Sequence, residues 1–302
     1  MTDQPVAVVD TIALLDQITA NDITAVYVKG YHSADGRGGG LLRRTTDSSQ
    51  TNEVTTFKGD GAKRWVRDLN GGTLDAYMAG AYGDGRLTVD GKIDVTSNDD
   101  TRAIQALFDV YTRSVDPFTD SATLHIRIGD GVFRVGLPND LNYPGLDFTQ
   151  FPSGARGWVI DGTGATLLGG CPNVPVIDAT DSRFGTFLNL QIIGAIPSDK
   201  DGNHYPSCGL RIGRKADNEA ANQMATDHVG IRGLFKVAAC LNVASEQFSD
   251  TNCEFTNDAV GPRYGYAGDA YNMLQWERRL VSQTLIVQVH RLFTPSLRQT
   301  TA

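Results

Sequence analysis

The chain has few cysteines and few charged residues for its length. Four cysteines occur in 302 residues, and no two of them form a Cys-x-x-Cys pair. A disulfide framework or a zinc site is therefore not expected, and the chain suits a reducing cytosol. Charged residues make up only 21% of the chain and glycine accounts for 33 residues, a composition typical of many short strands joined by turns.

Long hydrophobic runs and a positive net charge are also absent. No apolar run approaches the ~18 residues that cross a bilayer, and residues 1–5 lack the basic and apolar regions of a signal peptide. The net charge of −8 disfavours nucleic-acid binding, which depends on contacts with phosphates. The five histidines include no His-x-x-x-His pair, so we expect no metal site and no other cofactor.

One segment has the pattern of an amphipathic helix. Its apolar residues follow the spacing i, i+3, i+4, i+7, which places Ile104, Leu107, Phe108 and Tyr111 on one stripe. The dipeptide at 99–100 is Asp-Asp, and carboxylates there accept the free backbone N–H groups of a first helical turn. The pattern predicts a helix with one buried face.

Between about residues 122 and 260, many short segments alternate apolar and polar residues. Leu124, Ile126 and Ile128 are predicted to face inward, as in a half-buried strand. Steps of 20 and 19 residues, compatible with the coils of a solenoid, separate Leu190, Leu210 and Val229. A β-sandwich also has short alternating strands with Gly-rich turns, and it is the structural alternative.

Residues 1–78 are predicted to form a separate small module. It holds a short helix candidate at 11–18, a strand at 25–28 and a closing Arg-Trp strand at 64–69. The glycine run at 38–40 leads into a strand and lacks the Gly-x-x-x-x-Gly-Lys pattern of a phosphate-binding loop. We interpret it as a turn that needs positive φ.

The order of these elements resembles bacteriophage tailspike and tail-fibre proteins that contain a pectate-lyase-like, right-handed parallel β-helix. A Gly-rich turn at 80–85, the helix, and then strands around Gly129-Asp130-Gly131 resemble the entry to such a β-helix, whose first coil is closed by a short helix. The resemblance implies a mainly β fold with three parts: an α+β module at 1–78, a β-helix at 79–262 with its capping helix near 100–113, and a C-terminal end coil and tail at 263–302.

The resemblance also implies a function. The chain would be a virion structural protein of the tail, made in the host cytoplasm, without membrane insertion or nucleic-acid binding. Its N-terminal module would attach to other tail proteins, it would assemble as a homotrimer, and it would bind a bacterial surface polysaccharide. The alternatives are a polysaccharide depolymerase, either a hydrolase or a lyase, and a structural tail component that binds no glycan.

Cleavage of a polysaccharide needs a general acid and a base or nucleophile, which are usually carboxylates. The candidate catalytic residues are Asp178 with Asp181, and Glu246 with Asp250 and Glu254. The Gly-His-Gly and Arg-Ile-Lys motifs of polygalacturonases are absent, as is the Arg-x-Pro-x-x-Arg motif of pectate lyases. Aromatic rings stack on sugars, and the candidate glycan-binding residues, which alternatively pack the last coil, are Tyr264, Tyr266, Tyr271 and Trp276.

Overall fold

The protein is an N-terminal β-sheet module followed by a parallel β-helix, as described by a computed structural model. The described residues are 6–45, 51–69, 73–114, 124–136, 145–149, 158–180, 182, 184–202, 204–213, 224–242, 248–256, 258, 269–274 and 285–288.

The N-terminal module is built on a mixed sheet of five strands. The strands are β1 (Val6–Thr11), β2 (Ala25–Gly30), β3 (Gly38–Thr45), β4 (Thr56–Lys58) and β5 (Arg64–Arg67). Their spatial order is β1-β2-β3-β5-β4, with β1 and β2 parallel and the remaining pairs antiparallel. The predicted strands at 25–28 and 64–69 are thus present.

The predicted helix of this module is a 3₁₀ helix, Ile12–Gln17. Its buried residues Ile12 and Leu15, and Ile18 just after it, are spaced by three. A 3₁₀ helix has three residues per turn, so this spacing places the three side chains on one face. That face packs on the sheet residues Val26 and Trp65 and forms the core of the module.

The glycine run at 38–40 begins strand β3 and makes a close backbone contact with β2. Gly38 and Gly40 have φ values of 81° and 135°. A Cβ atom on Gly39 would lie 2.3 Å from the carbonyl oxygen of Lys29. Side chains larger than hydrogen do not fit there. The predicted positive φ is confirmed at Gly38 and Gly40, but the predicted turn was wrong for the run itself, because the turn lies just before it at 31–37.

Three parallel sheets form the β-helix. Its strands are β6 (Leu124–Arg127), β7 (Gly131–Val135), β8 (Leu146–Asp147), β9 (Trp158–Asp161), β10 (Ala165–Gly169), β11 (Ile177–Thr180), β12 (Gly185–Leu188), β13 (Gln191–Gly194), β14 (Leu210–Gly213), β15 (Met224–Asp227), β16 (Gly230–Gly233), β17 (Val237–Asn242), β18 (Phe248–Thr251), β19 (Cys253–Thr256), β20 (Asp269–Leu274) and β21 (Leu285–Gln288).

Successive strands of the β-helix enter the three sheets in turn. The sheets have the orders β6-β9-β12-β15-β18, β7-β10-β13-β16-β19-β21 and β8-β11-β14-β17-β20. All of these pairings are parallel. A β-sandwich is made of antiparallel sheets, so this topology excludes it and confirms the β-helix.

Apolar residues stack from coil to coil inside the β-helix. Ile126 pairs with Ile160, and Ile160 pairs with Phe187. All three side chains are buried, and each rests on the residue of the next coil. Ile128 is also buried, as the alternation predicts.

The coil length differs from the predicted step of about 20 residues. Leu190 and Val229 directly precede β13 and β16 of one sheet, whereas Leu210 begins β14 of another sheet. The strand partners are further apart, because Thr166 pairs with Gln191 and Gln191 pairs with Gly230. The predicted step was therefore wrong, and the coils are unequal because the loops between their strands differ in length.

The helix α1 (Thr101–Ser114) closes the first coil. Ile104, Leu107 and Phe108 are at most 1% exposed, which confirms the predicted buried face for these three residues. The ring centroid of Phe108 lies 4.0 Å from that of Phe148, which lies 5.9 Å from the ring of Trp158. The side chain of Tyr111 lies outside the described part of the helix.

The same helix completes the open edge of one sheet. Strand β8 is the first strand of its sheet, so among the described residues one of its edges has no neighbouring strand. The side-chain oxygen of Gln105 accepts a hydrogen bond from the Asp147 N–H at 2.8 Å, and its amide nitrogen donates to the Asp147 carbonyl at 2.9 Å. A glutamine amide thus satisfies both backbone groups that an edge residue leaves open.

Asp100, just before α1, holds the loop that connects the module to the β-helix. Its carboxylate accepts hydrogen bonds from the backbone N–H groups of Tyr82 at 2.6 Å and Gly83 at 3.2 Å. Asp99 instead bonds to Thr101 at the start of the helix, so the expected capping is confirmed for Asp99 and wrong for Asp100. Burial raises the pKa of the Asp100 carboxyl to about 6.

Arg67 ties the module to the same region. Its guanidinium donates to the carbonyl oxygens of Val54 at 3.0 Å, Gly39 at 2.6 Å and Met78 at 3.2 Å. Met78 belongs to the 3₁₀ turn Tyr77–Ala79 that leads into the β-helix. Burial lowers the pKa of Arg67 to about 10.

Truncation of Phe108 is expected to destabilise the β-helix. Phe108→Ala leaves a cavity between α1 and the rings of Phe148 and Trp158, and it should lower the free energy of unfolding by about 3–5 kcal/mol. Urea denaturation measures the change. Val89→Ala is the control, since Val89 is fully exposed and its loss should change stability by less than about 0.5 kcal/mol. Equal effects of the two substitutions would contradict the role of α1.

The stability of the wild type relative to Asp100→Asn should fall as the pH rises from about 4 to about 7. The carboxyl has a pKa of about 6 in the folded state and 3.8 in the reference state, so between these values only the folded state holds the proton. The contribution of this bound proton to the stability of the folded state is therefore complete below pH 3.8. It is lost as the pH rises through about 6. Urea unfolding of both proteins across this range measures the difference, and a pH-independent difference would disprove the prediction.

Candidate functional site

Three charged residues occupy the same outward position on successive coils. Asp147 of β8 pairs with Asp178 of β11, and Asp178 pairs with Arg211 of β14. Neighbouring strands are about 4.8 Å apart, so the three side chains form a row across the coils. We call Asp147, Asp178 and Arg211 the polar ladder. Their chain neighbours Ile177 and Leu210 are fully buried, which fixes the outward orientation of the ladder.

The centre of the polar ladder is an ion pair between two coils. The Nη1 atom of Arg211 donates to the Oδ2 atom of Asp178 at 3.3 Å. The side chains of Arg211 and Asp178 are 38% and 25% exposed, so both remain accessible from solvent. The Oδ1 atom of Asp178 accepts from the Thr180 N–H at 3.1 Å and from the Thr180 hydroxyl at 2.5 Å.

The aspartates of the ladder share a turn motif with other parts of the chain. In Asp-x-Thr, one carboxylate oxygen accepts from both the backbone N–H and the hydroxyl of the threonine, a local turn that aspartate favours. The motif orients Asp147 and Asp178, so part of each carboxylate serves the backbone. The motif occurs among the described residues at Asp94–Thr96, Asp99–Thr101, Asp147–Thr149, Asp161–Thr163 and Asp178–Thr180.

The other predicted catalytic residues do not join the polar ladder within the described residues. Asp181 and Glu246 lie outside those residues. Glu254 is exposed on β19, in the sheet of β7 and β10, whereas Asp250 belongs to β18 in the sheet of β6 and β9. The backbone thus places Asp178, Asp250 and Glu254 on three different sheets.

The predicted aromatic glycan-binding residues lie near the end of the chain. Tyr264, Tyr266 and Trp276 fall outside the described residues. Tyr271 belongs to β20 and pairs with Ala239, which pairs with the buried Leu210. The side chain of Tyr271 lies outside the described part of this strand, so its role in glycan binding or in packing the last coil stays a prediction.

Sequence reasoning missed two members of the polar ladder, Asp147 and Arg211. A signal for Asp147 was present, because the sequence Asp147-Phe-Thr149 repeats the Asp-x-Thr motif of Asp178. Arg211 lies between Leu210 and Ile212, so alternation alone predicts that it faces outward. The spacing along the chain gives no indication that the residues meet, since only the coil register brings them together.

Metal binding and membrane crossing find no support in the described part of the chain. No three His, Cys, Asp or Glu side chains of that part group closely enough to hold a metal ion. Cys171, Cys208 and Cys253 are buried. Within the same residues, none of the helices has the length and apolar character of a membrane span.

Comparison with known proteins places the N-terminal module in a family. Residues 8–70 match the phage tail protein small four-stranded β-sheet domain. This range contains most of the five-stranded sheet described above. No curated protein sequence matches the chain.

Solved tailspike structures resemble the chain at low sequence identity. The capsular polysaccharide depolymerase gp49 of Acinetobacter baumannii bacteriophage Fri1 is 14% identical, with 88% of this chain and 52% of that chain covered and a TM-score of 0.46. The tailspike of Acinetobacter baumannii phage AM24 is 18% identical, with coverage of 84% and 43% and a TM-score of 0.47. WceF of Pantoea stewartii, a glycan biofilm modifying enzyme with a tailspike-like parallel β-helix, is 15% identical, with coverage of 90% and 51% and a TM-score of 0.38.

This chain spans about half or less of the length of each of these structures. Residues 8–70 belong to the phage tail β-sheet domain family, and the strands that follow them form a parallel β-helix.

Proposed function

We propose that the protein is a tail spike or fibre subunit that attaches the virion to a polysaccharide on the host surface. The observation that carries this proposal is the phage tail domain at 8–70, followed directly by a β-helix closed by α1. In this arrangement the module at 1–78 docks on other tail proteins and the β-helix at 79–262 presents the glycan-binding surface. The segment at 263–302, which contains β20 and β21 of the β-helix sheets, forms the end coil and tail, and the subunits assemble as a homotrimer.

The polar ladder supports this function through its accessibility. Carboxylate and guanidinium groups form directional hydrogen bonds with the hydroxyl groups of sugars. A partly exposed ion pair contributes only about 0–1 kcal/mol to stability, so stability gives little reason for Asp178 and Arg211 to meet. A sugar chain lying along the stacking direction would contact one ladder residue per coil.

Substitution of the ladder should weaken binding to polysaccharide. Asp178→Asn and Arg211→Ala each remove a hydrogen-bonding charge, and the loss of a charged hydrogen bond corresponds to about a tenfold increase in Kd. The measurement uses the whole protein on purified capsular polysaccharides and lipopolysaccharides from a panel of bacterial strains. Light scattering on the same sample should give the mass of a homotrimer.

Arg232→Ala is the matched control, because Arg232 is an exposed arginine on β16 in a different sheet. It should bind like the wild type. Equal loss in the control and the ladder variants would remove the ladder from the proposal. Binding to no polysaccharide would favour the alternative of a purely structural tail component, and a stable monomer would contradict the homotrimer.

A second candidate function is depolymerase activity, favoured by the pairing of Asp147 with Asp178. Retaining glycosidases use two carboxyl groups about 5 Å apart, and residues paired across neighbouring strands are separated by about this distance. In this function one carboxyl group donates a proton to the leaving oxygen and the other attacks the sugar. Asp181, Glu246, Asp250 and Glu254 stay alternative candidates for these roles.

Release of reducing ends from a bound polysaccharide tests this second function. Asp147→Asn and Asp178→Asn should each reduce the release by about a hundredfold or more, since both carboxyl groups act in one reaction. Arg232→Ala should leave it unchanged, because Arg232 lies on another sheet. A loss of release in Glu254→Gln but not in Asp147→Asn or Asp178→Asn would instead assign the reaction to the alternative candidates. The absence of release from a polysaccharide that the wild type binds would exclude the activity and leave the attachment function intact.

A further inference from the structure

A cleft lies where the N-terminal module meets the first coil of the β-helix. Its volume is about 550 Å³, within the range of about 300–1,000 Å³ typical of small-molecule sites. Four segments line it: the loop after β2, the 3₁₀ turn Tyr77–Ala79, the loop that Asp100 holds, and the turn before β7. We call it the junction cleft.

Two aromatic rings on one side of the junction cleft are held rigidly. The rings of His32 and Tyr82 stack with their centroids 4.0 Å apart and their planes within 8°. The Nε2 atom of His32 lies 2.7 Å from the carbonyl oxygen of Gly80, to which it donates. Tyr82 is 45% exposed although its backbone N–H is fixed by Asp100. An exposed aromatic side chain in a fixed position offers an apolar surface at little entropic cost to a ligand.

Oriented polar groups form another side of the cleft. Arg37 donates to the Asp130 carbonyl at 2.8 Å, lies 3.1 Å from the Asp130 carboxylate, and stands 4.6 Å from the ring centroid of Tyr77. The Tyr77 hydroxyl donates to the same carbonyl at 2.6 Å. A Cβ atom on either Gly83 or Gly131 would lie 2.3 Å from that hydroxyl. Glycine at both positions therefore leaves the space that the Tyr77 side chain occupies in the cleft wall.

The charges of the cleft distinguish between ligand classes. The carboxylates of Asp35 and Asp130 line it together with the guanidinium of Arg37, which pairs with Asp130. Because Arg37 and Asp130 neutralise each other, the carboxylate of Asp35 leaves a negative charge that disfavours anionic ligands. A neutral sugar has an apolar ring face and a rim of hydroxyl groups, and it matches an aromatic surface beside charged hydrogen-bonding groups.

We propose that the junction cleft is a binding site for a neutral saccharide of two or three units, separate from the polar ladder. Neither the residues nor the segments of the two sites overlap, so the inference does not depend on the attachment function of the ladder. It assigns to Tyr82 the role of stacking platform and to Arg37, Asp35 and Asp130 the role of hydroxyl-group partners.

Saturation-transfer NMR and calorimetric titration of the whole protein test this site with maltotriose, cellotriose and chitotriose as neutral probes. At least one should bind with a millimolar Kd, and the acidic trisaccharide 3′-sialyllactose should bind more weakly than that probe. Tyr82→Ala should weaken binding about fivefold or more, while Tyr82→Phe, which keeps the ring, should bind like the wild type. The backbone contact of residue 82 with Asp100 is retained in both variants.

Tyr27→Ala is the matched control, because Tyr27 is 48% exposed in the same module and lies outside the cleft. It should leave binding unchanged, as should Arg211→Ala in the ladder. The inference would be overturned if no neutral probe binds, if Tyr82→Ala binds like the wild type, or if the acidic probe binds best. Loss of binding in Arg211→Ala alone would assign the saccharide to the ladder and reject the junction cleft.

Discussion

The closure of the first coil by α1 is the interaction on which the rest of the β-helix depends. A coil of a solenoid buries its apolar residues only against its neighbours, so the first coil needs a different cover. Phe108 supplies the apolar part by packing on Phe148, and Gln105 supplies the polar part by pairing with the backbone of Asp147. One helix thus solves two problems, exposed core and unpaired strand edge, that an open β-helix end would have.

The junction between the module and the β-helix is held by buried charges on backbone groups. Asp100 binds two N–H groups of the connecting loop, and Arg67 binds three carbonyl oxygens, one of them in the turn before that loop. A buried charge is costly unless its hydrogen bonds are satisfied, so these contacts demand one specific loop conformation. The same conformation presents Tyr82 to the junction cleft, which links the stability of the connection to the shape of a binding site.

Several aspartate carboxylates of this fold accept hydrogen bonds that stabilise local turns. The Asp-x-Thr motif uses one oxygen of Asp178 to form a turn, as it does at Asp94 and Asp161. What distinguishes Asp178 is its register, which places Asp147 on one side and Arg211 on the other. The polar ladder therefore forms because coils with the same Asp-x-Thr turn stack in register. It does not depend on a motif that is specific to one enzyme class.

Local patterns were sufficient for the elements that obey a local period. The stripe containing Ile104 and the alternation around Ile126 follow from helix and strand geometry, so their burial was predictable from the sequence alone. Tertiary structure alone decided the coil length and the polar ladder, because loops of unequal length set which residues stack.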